Sequence, residues 1–231
     1  DMARMKIEVL AARNKSHGLA LHDRLVAWLP RYAPLASRVA GLLNLREVMP
    51  GAARFGEWLA GFSAKRPLPR WRRDVFRQEA PLGPAGGREV ALFADTFNTY
   101  FEPDNLRDAA DVLGRLGYRV IVPRADDGPK WHYASVLMMG RATSRPLCCG
   151  RTFLAAGLVE EAKAEARRLI KALLPIAARG VSVVGLEPSC LFTLKDEMQA
   201  MGLGSEAAVV GERARLFETF MEQEAEAGRI S

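Results

Sequence analysis

From Arg88 onward the chain alternates short apolar runs with amphipathic stretches, and this alternation constrains the fold more than any other feature. Residues 89–93 form a short apolar run, and 105–116 carry a helical period that stops at Gly117. A second apolar run, 118–122, is halted by Pro123. A long helical stretch spans 152–178, with Leu154, Leu158, Leu169 and Leu173 on its inner side and Pro175 expected to end or kink it. A third strand is expected over 181–186. Strands that alternate with helices are joined by right-handed crossovers, so the expected fold class is α/β, with a mostly parallel sheet and flanking helices. Beyond 205 the pattern is helical again: Leu216, Phe217 and Phe220 are expected to pack inward, and 222–231 to be a solvated end.

Residues upstream of the sheet read differently. An opening helix, with Met2, Met5, Val9 and Leu10 on one side, stops at Gly18. Helical runs follow near 21–28, 33–45 and 52–62, punctuated by Pro30 and by Pro50-Gly51. Their apolar faces carry Leu25, Trp28, Leu29, Val39, Leu42, Leu43, Phe55 and Leu59, a spacing that reads as core. Between 65 and 87, four prolines and three glycines preclude regular elements and mark a linker. The expected organisation is a helical segment over 1–64, a linker over 65–87 and an α/β domain over 88–231. The opening Asp1-Met2-Ala3, without an initiator Met, reads as part of a longer polypeptide.

Sites in parallel sheets gather beyond the carboxyl ends of the strands. Asp95 and Thr96 follow the first strand, and Glu187 and Cys190 follow the third. Cys148, Cys149, Gly150 and Arg151 precede the long helix, in a loop of the same kind. All three cysteines of the chain thus fall in two segments that such a sheet could bring together. Thiolates are soft ligands, and adjacent cysteines in a chain without a secretory signal point to iron–sulfur or metal chemistry more than to a disulfide scaffold. Three ligands are one short of a closed site. Gly150 would let the backbone approach inorganic sulfur, and Arg151 would offset negative charge. Asp95 reads as an oxygen ligand or, better, as a cap, and Thr96 follows the same logic. Glu187 either orients a ligand or ends the strand. The alternative for the cysteines is that of small buried apolar residues.

The net charge is +6 over 231 residues. A basic cluster at Arg66, Arg70, Trp71, Arg72 and Arg73 reads as a solvated face or a linker; a dedicated nucleic-acid binder would show a basic stripe interleaved with stacking aromatics, so no nucleic-acid partner is expected. Docking on an anionic membrane surface or a redox partner stays open. No stretch approaches the roughly 20 apolar residues of a membrane span, and no secretory leader is visible. Cytoplasmic localisation is expected, with room for contact at the inner membrane face. No G-x-G-x-x-G follows the first strand, and His17, His22 and His132 share no ligand spacing.

Three stretches carry a resemblance: 95–103 (DTFNTYFEP), 145–152 (RPLCCGRT) and 184–190 (VGLEPSC). They resemble the cysteine-rich CCG domain found in heterodisulfide reductase and the iron–sulfur subunit of glycolate oxidase. The similarity is closer to the C-terminal part of FAD-linked oxidases fused to iron–sulfur domains, of the D-lactate and D-2-hydroxyglutarate dehydrogenase type. This resemblance implies an iron–sulfur electron-transfer portion of a flavin-linked 2-hydroxy-acid oxidoreductase, with Cys148, Cys149 and Cys190 as ligands of a 4Fe-4S-type cluster. FAD would lie in the parent protein only. The implied partners are upstream FAD and ferredoxin-like domains and an unknown electron acceptor. The fragment alone is not expected to oxidise substrate. Two departures are visible: the family's lone Cys position falls near Asp95 or Thr96, and its last position is Thr193. The stretch 130–144 stands where a short connection is expected. The alternative readings are a docking domain with a decayed site and a zinc or thiol-redox site.

Overall fold

The computed structural model describes residues 2–78, 80–125 and 146–230. Its centre is a four-stranded, wholly parallel sheet: β1 (Arg88–Phe93), β2 (Tyr118–Ile121), β3 (Val183–Gly185) and β4 (Ala214–Leu216), in the order β2-β1-β3-β4. Val90 sits opposite Val120, Leu92 opposite Val184, and Val183 opposite Ala214. This 2-1-3-4 order is that of doubly wound sheets whose ligand crevice opens between β1 and β3.

The sheet is covered on both faces, so its central strands carry buried apolar runs without alternation, Val90, Ala91, Leu92 and Phe93 in β1 and Val183 and Val184 in β3, while the edge strands β2 and β4 admit Arg119 and Arg215. One layer holds Leu106, Ala110 and Leu113 of the helix Pro103–Arg115, packed with Val90, Leu92, Val120 and Val184. The other holds Leu169, Ile170 and Leu173 of the helix Val159–Ala177, packed with Ala91, Phe93 and Val183.

The helical run expected over 152–178 is two helices. Arg151–Ala155 ends before Gly157, which takes φ +73° and leads into Val159–Ala177. A Cβ on Gly157 would lie 2.7 Å from the backbone of Leu10 and Ala11 in the first helix, Met2–His17, so this break admits the close approach of two chain segments. Gly157→Ala is expected to destabilise the fold by about 2 kcal/mol or more, checked by urea denaturation. Pro175 lies in the last turn, and the helix runs two residues past it. β4 was not expected: three residues, Ala-Arg-Leu, are too few to show a period.

Upstream, four further elements follow the first helix: Leu21–Ala27, Leu29–Ala36, α4 (Ala40–Val48) and α5 (Ala52–Ala60). Pro30 opens the second of these rather than ending its predecessor, as its locked φ allows in a first turn. The run expected over 33–45 is interrupted by a 3-10 turn, Ser37–Val39. These helices dock on the α/β part. Thr152 Oγ1 donates to the Ala27 carbonyl (3.0 Å), the Arg31 guanidinium pairs with buried Glu165 (3.0 Å), and Phe153 meets Trp28 edge-on. One expectation fails here: Val39, Leu42, Leu43, Phe55 and Leu59, whose spacing reads as core, are exposed, and so are Met2, Met5 and Val9 of the first helix.

The described residues of 65–87 hold no helix or strand except a bridge from Leu82 to Val120, and Phe76 is buried against the sheet layer. At the other end, 222–230 is not merely solvated. The helix Phe217–Glu226 buries Glu224, which accepts hydrogen bonds from Tyr118 Oη, Arg88 and Arg229. These donors, Arg229 foremost, pull the Glu224 carboxyl down to about 2 from its ordinary 4.5. A lowered carboxyl stabilises the fold above its unfolded value and loses that contribution as pH falls through the folded one. Glu224→Gln is therefore expected to cost about 2 kcal/mol at neutral pH, the partly exposed arginines discounting the full shift. The deficit should shrink between about pH 4.5 and pH 2, read by urea titration.

Candidate functional site

Three loops converge beyond the carboxyl ends of the strands. After β1, Asp95 caps the short helix Thr96–Tyr100. Its Oδ1 accepts from the amides of Phe97 (2.9 Å) and Asn98 (3.0 Å), and its Oδ2 accepts from Asn98 Nδ2 (2.7 Å). Asp95 is fully buried, and desolvation, opposed by these hydrogen bonds and reinforced by the nearby Glu187 charge, pushes its carboxyl up. Capping is thus the role the structure assigns it. Thr96 is buried beside it, its hydroxyl without a partner among the described residues.

After β3, Glu187 caps the helix Pro188–Phe192, accepting from the Ser189 amide (3.3 Å) and from Ser189 Oγ (2.7 Å). That helix carries Cys190 into the core. The third loop holds Cys148, Cys149 and Gly150 just before the helix Arg151–Ala155. Gly150 takes φ +86°, and a Cβ there would lie 2.8 Å from the Ala162 carbonyl oxygen. Its amide donates to Cys148 Sγ at 3.3 Å.

These two loops place Cys149 Sγ 3.0 Å from Cys190 Sγ, across 41 residues of sequence. All three cysteines are free and buried, and Cys149 and Cys190 belong to the apolar layer of Phe93, Leu147, Leu191 and Leu194. Each thiol is pushed up. Cys148 is raised by its hydrogen bond with Cys149 and then by burial. For Cys149, the bond with Cys148 pulls down but is outweighed by the bond with Cys190 and by burial. For Cys190, the bond with Cys149 lowers it, while burial and the fields of Asp95, Cys148 and Glu187 prevail. At neutral pH these are thiols, not thiolates, so iodoacetamide is expected to leave all three unmodified in the native protein and to modify all three in urea. Mass spectrometry of the intact chain reads this directly.

The expected residues separate by partner. Cys148, Cys149, Cys190 and Gly150 come together, and Asp95 and Glu187 act on Cys190 through their charge. The Arg151 side chain is not turned to the sulfurs: it pairs with Glu197, 46 residues on. Sequence reasoning passed over Asn98, which is buried and links Asp95 to Asn105 Nδ2 (3.0 Å). Its position three residues after a capping Asp was the available signal. The stretch 130–144, His132 included, lies outside the described residues. Among the described residues, no group of three or more His, Cys, Asp or Glu side chains is arranged to hold a metal ion, and no helix is long and apolar enough to cross a membrane.

No protein-family model matches the chain, and no solved structure matches it significantly. A curated protein from Pantoea ananatis (strain AJ13355), named D-2-hydroxyglutarate dehydrogenase, is 23% identical over 217 residues. The matched region is 85% of this chain and 19% of that protein, so the chain is distantly similar to a small part of an oxidoreductase.

Proposed function

We propose that this chain is the cysteine-bearing redox portion of a larger flavin-linked 2-hydroxy-acid oxidoreductase. The observation that carries the reading is the 3.0 Å approach of Cys149, with Cys148 next to it in sequence, to Cys190 from a segment 41 residues away. The distant likeness to a dehydrogenase agrees with it. FAD and the hydroxy-acid site belong, on this reading, to other parts of the parent protein.

The donor set is chemically suited to soft metals: three sulfurs, with the Gly150 amide aimed at one of them. As packed, however, the residues do not fit a completed iron–sulfur or zinc centre. Two thiolates on one tetrahedral zinc stand about 3.8 Å apart, from Zn–S bonds of about 2.3 Å. The Cys149 and Cys190 sulfurs are 3.0 Å apart, and no fourth ligand stands among the described residues. Loading a cluster requires the Cys149–Cys190 contact to open, three thiols to lose their protons, and a fourth donor to arrive. The residues of this chain hold the thiols at the strand ends: Asp95 and Glu187 fix the two flanking helix starts, and Gly150 sets the turn of the third loop.

A second reading is favoured by the burial of the same thiols. In it the α/β unit docks its neighbours and the cysteines serve as core. Anaerobic reconstitution with iron and sulfide separates the two. The redox reading expects stoichiometric iron and acid-labile sulfide with a visible absorption band, lost in Cys149→Ser. A wild-type chain that stays free of iron while remaining folded by circular dichroism contradicts it and leaves docking.

A further inference from the structure

We propose that α4, α5 and the arginine-rich segment after them form a docking face for an anionic phospholipid bilayer. The apolar side chains that periodicity would place in a core are instead on the surface: Leu42, Val48 and Met49 of the α4 region, and Phe55, Trp58 and Leu59 of α5. Val48 is 75% exposed and Trp58 79%, the latter the most exposed aromatic among the described residues. On α4, the exposed positions 42, 45 and 48 recur at helical spacing, as do 55 and 59 on α5, so each helix offers a ridge rather than scattered side chains.

Charge decides the occupant. Residues 38–73 contain eight Lys and Arg against two Glu, a net +6, which equals the net charge of the whole chain. The other 195 residues are electrically balanced, so the molecule's basicity is concentrated where its apolar surface is exposed. Beside α4, a cavity of about 430 Å³ lies between Gly41 and Asn44 on one wall and Arg70, Trp71 and Arg73 on another. Arg72, also at this cavity, is already paired with Asp74 and Asp104, whereas Arg70 and Arg73 have no ion-pair partner among the described residues. An aliphatic and Trp ridge bordered by Arg and Lys is the composition that lies in a headgroup boundary. A nucleic acid would meet the arginines but leave Leu42, Val48 and Met49 against water. A protein partner would have to supply an acidic surface with an apolar centre.

The test is co-sedimentation of the 231-residue chain with vesicles of phosphatidylcholine alone or mixed with phosphatidylglycerol. The proposal expects partitioning onto the mixed vesicles only, weakened by added salt. Arg70→Gln with Arg73→Gln should reduce the partition coefficient about twenty-five-fold, at about fivefold per charge removed. Val48→Ser with Trp58→Ser, both surface changes, should leave the circular dichroism unchanged and reduce the partition coefficient by about tenfold or more. Equal binding to both vesicle types, or none, overturns the proposal. So does self-association in sedimentation equilibrium that is lost in the Val48/Trp58 variant while the wild type ignores vesicles; that outcome assigns the face to a second copy of the chain.

Discussion

Phe153→Ala is expected to lower the unfolding free energy by about 3–5 kcal/mol, the range for emptying a large buried aromatic site. Phe153 is fully buried, its ring centroid lies 5.4 Å from that of Trp28 at 80°, and the Arg31 guanidinium sits 4.8 Å from the same centroid. Ala27, Leu154 and Ala162 close the cluster. The residue therefore belongs to two parts of the molecule at once: it opens the helix after the cysteine loop, and it receives the upstream helices. Truncation should leave a cavity at that seam, and the Arg31 cation loses the ring it rests on. Urea denaturation of both chains gives the comparison. A change below about 1 kcal/mol would mean that the upstream helices do not rest on Phe153 in solution.

Asp95→Ala is the second large effect, expected at about 3 kcal/mol. The carboxylate is buried and accepts three hydrogen bonds, two from backbone amides at a helix start and one from Asn98. Hydrogen bonds to a charged group contribute about 1.5–3 kcal/mol each when tested singly, and removing the acceptor strands donors that cannot reach water. Against this stands relief of burying a charge, which is why the sum of three bonds is not expected. Asp95→Asn keeps Oδ1 as acceptor and should cost about 1 kcal/mol. Because the folded carboxyl is raised, its contribution is fully present below the unfolded value and is lost as pH rises through the folded one. The deficit of Asp95→Asn should accordingly be larger in acid than at neutral pH. A deficit that grows with pH would contradict the burial argument.

Much of this arrangement was legible in the chain. Three strands were readable because a buried parallel sheet writes continuous apolar runs between punctuating residues, as in Val90–Phe93 before Asp95 and Val183–Val184 before Pro188. The strand-end rule places Asp95, Cys148, Cys149 and Cys190 in loops at the same end of the sheet. What escaped has physical reasons. Gly157 breaks a run whose period continues on both sides, and one glycine within a helical pattern is ordinarily tolerated, so nothing local marked its approach to Leu10 and Ala11. Periodicity says which residues share a face, not what covers it, and so Phe55 and Leu59 read as core. Arg151 was assigned to the cysteines because they adjoin it in sequence, whereas its partner Glu197 is reached only through the fold. Glu224 sits in a run of charged residues that looks like solvated helix, and only the packing of Phe220 beside Tyr118 turns it inward.

The central claim is that two distant loops hold their cysteines in one closed site, and a double-mutant cycle on Cys149 and Cys190 tests it most directly. Urea denaturation of the wild type, Cys149→Ala, Cys190→Ala and the double variant gives the coupling between the two positions. Sulfurs 3.0 Å apart inside one apolar layer should couple by about 0.5–3 kcal/mol, the range for residues in contact. Costs that add to within about 0.3 kcal/mol, as for positions that do not touch, would contradict the account.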